Sequence, residues 1–246
     1  MKDIPSANVH SIESFSCVDG PGLRSVIFLQ GCNLRCRMCA NPDTWNFKGG
    51  NIMTSQEICK KVLGMKDYFD TIGGITISGG EPLNSPMFVK DVFSKLHQEQ
   101  LTTCLDTSGH AHKYNVNMVL PYTDHVLFCI KHPDHKKYFE LTGQRQTLAL
   151  DFWSRLEELN KNYMIRYVII PGITDNEKDI HSLCNMIKVK YPTCIGIELL
   201  PYHDLGKHKW DLLGLKYTLN HIKVPSIVAI SAISNIIKSY GIKILL

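Results

Sequence analysis

Short runs of β-branched and apolar residues alternate with helical patterns along most of this 246-residue chain. Such alternation is typical of repeated strand–helix units around a parallel sheet. Six units are predicted, with strands at residues 25–30, 75–78, 103–105, 125–130, 165–170 and 195–200. The expected fold class is therefore α/β, a partial (β/α)6 barrel with parallel strands that resembles a TIM barrel.

Helical spacing of apolar residues predicts helices at 55–69, 86–98, 148–159, 177–188 and 226–240. Thr54 is the expected N-cap of the first helix, and Glu57 completes a capping box. A polar stretch at 203–224 is expected to be irregular, and Ile242 to Leu246 form a final strand. Because no linker-like boundary is present, residues 1–246 are expected to form a single core domain, with a C-terminal extension of helix and strand from about residue 204.

Composition excludes several classes of protein. The net charge of +4 comes from Lys and Arg residues that are spread along the chain, so no nucleic-acid partner is expected. The first eleven residues contain no apolar run of secretory length, and no stretch approaches the roughly 18 apolar residues of a membrane span. A cytoplasmic protein without membrane contact is expected. Nine cysteines, an odd number at uneven spacing, argue against a disulfide framework.

Three cysteines, Cys32, Cys36 and Cys39, lie within eight residues. Thiolates this close repel one another unless a metal or cluster neutralises them, so a metal centre is predicted. Iron–sulfur clusters are held by cysteine thiolates, whereas structural zinc requires four ligands. One alternative is a zinc site to which a residue distant in sequence contributes the fourth ligand. The other is that the three cysteines are free and structural. The other six cysteines are expected to be small buried apolar residues.

Polar features follow the predicted strands at their carboxyl ends. The cysteines follow the first strand, Gly79-Gly80 the second, Asp106-Thr107 the third, Lys131 the fourth and His203 the sixth. In a barrel of parallel strands this rim is where active sites are built, so the pattern favours an enzyme.

The C-x-x-x-C-x-x-C spacing, the later Gly79-Gly80-Glu81-Pro82 and the six strand–helix units together resemble the radical S-adenosylmethionine enzymes. More narrowly, the sequence resembles the activating enzymes of pyruvate formate-lyase from about His10 to its end. The segments that carry this likeness begin at Val18, Asn41, Leu105, Ile165 and Leu199, and they read VDGPGLR, NPDTW, LDTSG, IRY and LLPYHDLGK.

The resemblance implies that Cys32, Cys36 and Cys39 are catalytic and ligate a 4Fe-4S cluster with one open iron for S-adenosylmethionine. Reductive cleavage of that cofactor would give a 5′-deoxyadenosyl radical, which removes a glycine hydrogen from pyruvate formate-lyase. Flavodoxin or ferredoxin is the implied electron donor, and a monomer is expected. The alternatives are the activator of another glycyl radical enzyme, such as anaerobic ribonucleotide reductase, and a zinc- or cluster-stabilised binding module without catalysis.

The same resemblance implies further site residues. Asp106 and Thr107 would help to hold a monovalent cation, and Asp19 and Arg166 would bind the partner, although structural salt bridges compete with that role. Three residues depart from the family pattern: Cys129 replaces Asp, Ala40 replaces His and Met38 replaces an aromatic residue. The implied cofactor contacts are Met38, Cys39, Ala40, Asn41, Gly79, Gly80, Cys129, Ile130, Lys131 and His203.

Two nearby features have simpler expectations. Trp45 is expected to pack beside the loop that contains Cys32, Cys36 and Cys39 and to shield the metal centre from water. Lys207, His208 and Lys209 are expected to form a solvated loop.

Overall fold

The computed structural model describes residues 3–245. In that range the strands are β1 (Ser6–Ser16), β2 (Arg24–Leu29), β3 (Asn51–Thr54), β4 (Gly74–Gly79), β5 (Thr102–Thr107), β6 (His125–Cys129), β7 (Tyr163–Ile169), β8 (Cys194–Pro201) and β9 (Ile244–Leu245). The helices are α1 (Ser55–Leu63), α2 (Pro86–Gln98), α3 (Lys113–Val119), α4 (His135–Thr142), α5 (Thr147–Glu158), α6 (Glu177–Lys190), α7 (Lys207–Leu212) and α8 (Ile227–Ser239). The six predicted strands correspond to β2, β4, β5, β6, β7 and β8.

The chain divides into two compact units. The first contains the described residues up to Asn33 together with Thr44–Leu127, and the second contains Leu34–Asp43 and the described residues from Phe128 onward. The chain enters the second unit within the loop of residues 31–43, which we call the cysteine loop, and returns to the first unit after Asp43. It enters the second unit again within β6.

The first unit is built on a sheet in which β3, β1, β2, β4 and β5 are neighbours in that order. β1 is antiparallel to both β2 and β3, whereas β2, β4 and β5 run parallel. Ile27, Ile77 and Leu105 from these three parallel strands are completely buried. The carboxyl ends of β2, β4 and β5 therefore lie at one edge of this sheet, which is the edge that carries the polar loops.

Local signals fix the helices of the first unit. The Thr54 side chain accepts a hydrogen bond from the Glu57 N–H, and the Glu57 side chain accepts one from the Thr54 N–H, which confirms the predicted capping box. Pro86 begins α2, where its missing N–H is not needed, and α2 has the predicted bounds. Val62 of α1 and Val92 of α2 are completely buried.

The second unit contains β7, β8 and β9, which are parallel neighbours. Aromatic residues fill its core: the Phe128 ring lies 5.4 Å from Phe152 and 5.5 Å from Trp153, both of α5. The Trp153 ring stacks on Tyr191 at 3.9 Å. Across residues 3–245, no helix combines the length and apolar character needed to span a membrane.

Several elements differ from the sequence predictions. The predicted helix 55–69 is shorter, because α1 ends at Leu63 and Gly64 follows it. The stretch expected to be irregular at 203–224 contains α7. Leu246, the last residue of the predicted final strand, lies outside the described residues. The elements that were not predicted are β1, β3, α3, α4 and α7.

Candidate active site

The first part of the cysteine loop is fixed by backbone hydrogen bonds within the first unit. The Gly31 N–H donates to the Thr44 carbonyl at 2.8 Å, and the Cys32 N–H donates to the Trp45 carbonyl at 3.3 Å. The Gly31 carbonyl in turn accepts from the Glu81 N–H at 2.9 Å. The residues before and at the first cysteine are thus held against the Gly-Gly-Glu-Pro turn.

Gly79 and Gly80 are required by close packing of backbone. Gly79 has φ of +108°, and a Cβ atom there would lie 2.2 Å from the Leu29 nitrogen. A Cβ at Gly80 would lie 2.4 Å from the Gly31 carbonyl oxygen. Backbone cannot move aside as a flexible side chain can, so both positions exclude any larger residue whatever they bind.

Glu81 is a buried carboxylate that joins the turn after β4 to the end of β5. Its Oε1 accepts from the Thr107 hydroxyl at 2.5 Å and the Leu83 N–H at 3.2 Å, and its Oε2 accepts from the Ser108 N–H at 3.0 Å and the Ser108 hydroxyl at 2.6 Å. Burial raises the pKa of Glu81 above its ordinary value, and the hydrogen bonds from Ser108, Thr107 and Leu83 act in the opposite direction. In the sequence Glu81 is visible only as part of a motif, and its structural role is visible only in the fold.

Asp106 and Thr107, the predicted cation ligands, lie at the carboxyl end of β5. Asp106 Oδ2 accepts from the Ser78 hydroxyl at 2.6 Å. The Thr107 hydroxyl donates to Glu81 and accepts from the Gly109 N–H at 2.9 Å. Both side chains are thus held in place by neighbours in the first unit, and their role as cation ligands remains a prediction.

The remainder of the cysteine loop belongs to the second unit. The Arg35 N–H donates to the Thr142 carbonyl at 2.8 Å, and the Arg37 N–H donates to the Leu141 carbonyl at 2.9 Å, so the loop is held by the end of α4. The Cys39 N–H donates to the Cys36 carbonyl at 3.0 Å, which closes a turn. The second and third cysteines therefore belong to one local turn.

α7 holds the residues that follow the second cysteine. Trp210 Nε1 donates to the Cys39 carbonyl at 2.9 Å, and Lys209 Nζ donates to Asn41 Oδ1 at 2.7 Å. Lys209 Nζ also lies 3.1 Å from Asp43 Oδ2. The expectation that Lys209 belongs to a solvated loop is wrong. No local sequence signal could have found this contact, because Asn41 lies 168 positions before Lys209.

Other predicted cofactor contacts lie in the second unit. Ile130 is buried, and its N–H donates to the Phe128 carbonyl at 3.1 Å. Cys129, at the end of β6, and Lys131, just after it, are half-buried. His203 follows β8 and is exposed. In the cysteine loop Met38 is half-buried and Ala40 is exposed.

The two predicted partner-binding residues have side-chain contacts within their own units. Asp19 Oδ2 accepts from the Ser16 hydroxyl at 2.6 Å. Arg166, in β7, donates from Nε to Glu198 Oε2 of β8 at 2.6 Å. For Arg166 the structural salt bridge named as the competing role is therefore present, and it does not preclude partner binding.

The donor set of the loop fits an iron–sulfur cluster. None of the nine cysteines, all within the described residues, forms a disulfide, and Cys32 and Cys36 are buried. Burial raises the pKa of Cys59 and of Cys184 to about 11, so these two thiols remain neutral in the core. Within residues 3–245 no three His, Cys, Asp or Glu side chains are grouped as metal ligands. The fit therefore rests on the three thiols and their spacing.

Comparisons with known proteins agree with this donor chemistry. A family model described as a 4Fe-4S single cluster domain matches residues 18–140. The chain is 44% identical over 216 residues to the pyruvate formate-lyase-activating enzyme of Clostridium pasteurianum. The match covers 87% of this chain and 90% of that protein. It is 39% identical over 233 residues to the enzyme of the same name from Staphylococcus aureus strain USA300, with 92% of both chains covered.

Solved structures confirm the predicted fold class. A domain of pyruvate-formate lyase-activating enzyme from Bacteroides vulgatus is 26% identical with a TM-score of 0.60, and the match covers 70% of this chain and 98% of that one. A radical SAM methyltransferase from Sphaerobacter thermophilus is 16% identical with a TM-score of 0.66, covering 90% of this chain and 65% of that one. The second likeness concerns the fold alone, a mixed α/β architecture with a mostly parallel sheet.

Proposed function

Because the chain belongs to the family of pyruvate formate-lyase-activating enzymes, we propose that it installs the glycyl radical on pyruvate formate-lyase by radical S-adenosylmethionine chemistry. The observation that carries this proposal is the 44% identity over 87% of the chain to an enzyme of that name, together with the three-cysteine motif. When bound, the 4Fe-4S cluster supplies an electron that cleaves S-adenosylmethionine, and the resulting 5′-deoxyadenosyl radical removes a hydrogen atom from the partner's glycine.

Cys32, Cys36 and Cys39 would hold the cluster through their thiolates. The buried backbone around Gly31 and the turn between Cys36 and Cys39 fix where these side chains begin. Because the motif offers only three thiolates, the fourth iron would remain open to a small ligand. Burial of Cys32 and Cys36 would limit the access of water and oxygen to the cluster when it is bound.

S-adenosylmethionine would contact residues from the carboxyl ends of the strands. The absence of side chains at Gly79 and Gly80 would let its methionine group approach the backbone, and Lys131 would pair with its carboxylate as a point charge. His203 would lie beside the adenine. The further contacts proposed are Met38, Cys39, Ala40, Asn41, Cys129 and Ile130, with Asp106 and Thr107 holding a monovalent cation.

The glycine-bearing loop of the partner would be bound with the help of Asp19 and Arg166. Asp19 is half-buried and lies in the VDGPGLR segment. The Glu198 carboxylate would keep the Arg166 guanidinium in one orientation. We further propose that flavodoxin or ferredoxin donates the electron and that the enzyme acts as a cytoplasmic monomer.

The decisive experiment uses the anaerobically reconstituted and reduced protein. It is mixed with S-adenosylmethionine and pyruvate formate-lyase, and both 5′-deoxyadenosine and the electron spin resonance signal of a glycyl radical are recorded. We expect both products from the wild type and neither from Cys36→Ala. The matched control is Cys184→Ala, which removes a buried thiol of α6 and should retain both products.

The outcomes separate the alternatives. Formation of 5′-deoxyadenosine without a glycyl radical would retain the radical chemistry and reject pyruvate formate-lyase as the partner. A protein that binds zinc and yields neither product would contradict the proposal. Cofactor cleavage by Cys36→Ala would contradict the assignment of that residue.

A further inference from the structure

Lys209 and the cysteine loop are joined by a polar contact across a large sequence separation. The Lys209 ammonium lies 2.7 Å from Asn41 Oδ1 and 3.1 Å from Asp43 Oδ2. Its side chain is 24% exposed and that of Asp43 is 30% exposed, so water only partly screens the pair. An ammonium group donates hydrogen bonds and cannot accept them. Lys209 therefore orients the amide oxygen of Asn41 toward itself and the amide NH2 group away from itself.

Trp210 makes a second contact, one residue further along α7. Its indole N–H donates to the Cys39 carbonyl at 2.9 Å, and the residue is only 6% exposed. The Trp210 ring packs edge-on against Tyr217 at 5.2 Å, and the Tyr217 hydroxyl lies 2.6 Å from that of Tyr202. A rigid ring held from behind by another ring fixes the position of the carbonyl that it contacts.

Two further contacts hold the same loop. A Cβ atom at Gly206 would lie 2.3 Å from the Ala40 carbonyl oxygen and 2.7 Å from the Ala40 Cα, so the two backbones touch. Arg37 Nε donates to the Thr218 hydroxyl at 2.9 Å. We call Gly206, Lys209, Trp210 and Thr218 the C-terminal clamp.

The contacts between α7 and the cysteine loop are needed for the order of the helix as well as for the order of the loop. The helix has six residues, Trp210 is its buried residue, and Leu212 is 84% exposed. Isolated helices shorter than about 12 residues are marginal in water, so α7 gains its order from tertiary contacts. The order of α7 and the order of residues 37–43 are therefore coupled.

We infer that Lys209 and Trp210 are positioning residues, which set the backbone of Cys39 and the amide of Asn41 for binding of the cluster and of S-adenosylmethionine. This inference rests on the proposed function. Lys209 orients the Asn41 amide, and Trp210 fixes the carbonyl of the third cysteine. Neither residue needs to contact the reacting atoms, because each acts by orienting a group that would itself bind the cluster or S-adenosylmethionine.

The first test uses cluster-free protein and amide hydrogen exchange of peptides that cover residues 36–43. The variants are Lys209→Met, which removes the ammonium, and Trp210→Phe, which keeps a ring and removes the N–H donor. The matched control is Lys207→Met, the same change at the first residue of α7. We expect faster exchange in the first two variants and wild-type exchange in the control.

The second test uses the reconstituted enzyme and the electron spin resonance spectrum of the reduced cluster, titrated with S-adenosylmethionine. Loss of an orienting partner behind a metal ligand typically weakens affinity or activity by about ten- to a hundredfold. We expect Lys209→Met to retain its iron, to weaken S-adenosylmethionine binding about tenfold and to alter the spectrum of the complex. Lys209→Arg keeps the charge and the donors and should restore most of the affinity.

The result that would overturn the inference is equal exchange and equal affinity in Lys209→Met and Lys207→Met. If Lys209→Met does not fold, Trp210→Phe with wild-type exchange would also overturn it. A wild type that produces no 5′-deoxyadenosine would contradict the proposed function. The exchange comparison would still decide whether the clamp orders the loop, because it needs no cluster.

Discussion

Replacing Glu81 with Ala should destabilise the first unit strongly, although no ligand is involved. Each carboxylate oxygen accepts from one backbone N–H, Oε1 from Leu83 and Oε2 from Ser108. A buried donor without a partner destabilises by about 1–3 kcal/mol, so the two together amount to about 2–6 kcal/mol. The hydroxyls of Thr107 and Ser108 can rotate toward other acceptors and should add little.

Relief of carboxylate burial opposes this loss. Burial raises the pKa of Glu81, which means that the ionised form is disfavoured in the folded protein. We therefore expect a net loss of about 3 kcal/mol for Glu81→Ala. Glu81→Gln should lose about half as much, because its single amide oxygen can serve only one of the two backbone donors.

The assay is urea unfolding of the cluster-free protein, with the free energy taken from linear extrapolation. Glu99→Ala is the control in the same unit, because Glu99 pairs with Lys66 at 3.4 Å and the two side chains are 49% and 43% exposed. Exposed pairs of this kind contribute about 0–1 kcal/mol. A loss of stability in Glu81→Ala no greater than that in Glu99→Ala would refute a stabilising role of Glu81 for the two buried N–H donors.

Three further predictions concern other residues. Gly79→Ala should lose more than about 3 kcal/mol in thermal unfolding because a Cβ there would lie 2.2 Å from the Leu29 nitrogen, whereas Gly214→Ala, also at positive φ but with nothing within 4 Å, should lose about 1–2 kcal/mol; equal losses would contradict the clash. Burial lowers the pKa of His132 below 6.5, so unfolding takes up a proton and stability should fall as the pH drops below about 6.5. His132→Asn should reduce that slope by up to about 1.4 kcal/mol per pH unit in urea unfolding at several pH values, and an unchanged slope would exclude this group as its source. Cys129→Asp should tighten S-adenosylmethionine binding in the presence of sodium or potassium, since a carboxylate is a better ligand than a thiol for a hard cation, and an unchanged dissociation constant would exclude a cation role at this position.

Elements with local signals were predictable from the sequence. Thr54 and Glu57 form their capping box between residues three apart, and α2 begins at its proline. Strands β2, β4 and β7 could be predicted because most of their residues are buried and many of these are apolar. Strand β1 has a mostly polar sequence, SANVHSIESFS, and nearly half of its residues are exposed. It is stabilised by pairing with β2 and β3, which is information that a local pattern does not contain.

The candidate site likewise has features that the sequence reveals and features that only the fold reveals. The spacing of Cys32, Cys36 and Cys39 is visible in the sequence because a cluster needs thiolates close together. The roles of Glu81, Lys209 and Trp210 were not visible, because each depends on a partner that is distant in sequence. Lys209 contacts Asn41, which lies 168 positions earlier. The identity of the residue alone favoured a solvated lysine, and only the fold reveals its partner.

The backbone packing around Gly79 and Gly80 has a consequence for large-scale mutagenesis of this protein. In a library scored by cellular abundance, positions 79–81 should be intolerant even when the cells lack iron, because the protein fails to fold before any cofactor matters. Lys131 and His203, which are at least partly exposed, should tolerate many replacements in the same screen. Under the proposed function, replacements of these two residues would be harmful only when selection depends on growth without oxygen. A comparison of the two screens would thus separate the residues that shape this turn from those that serve the reaction.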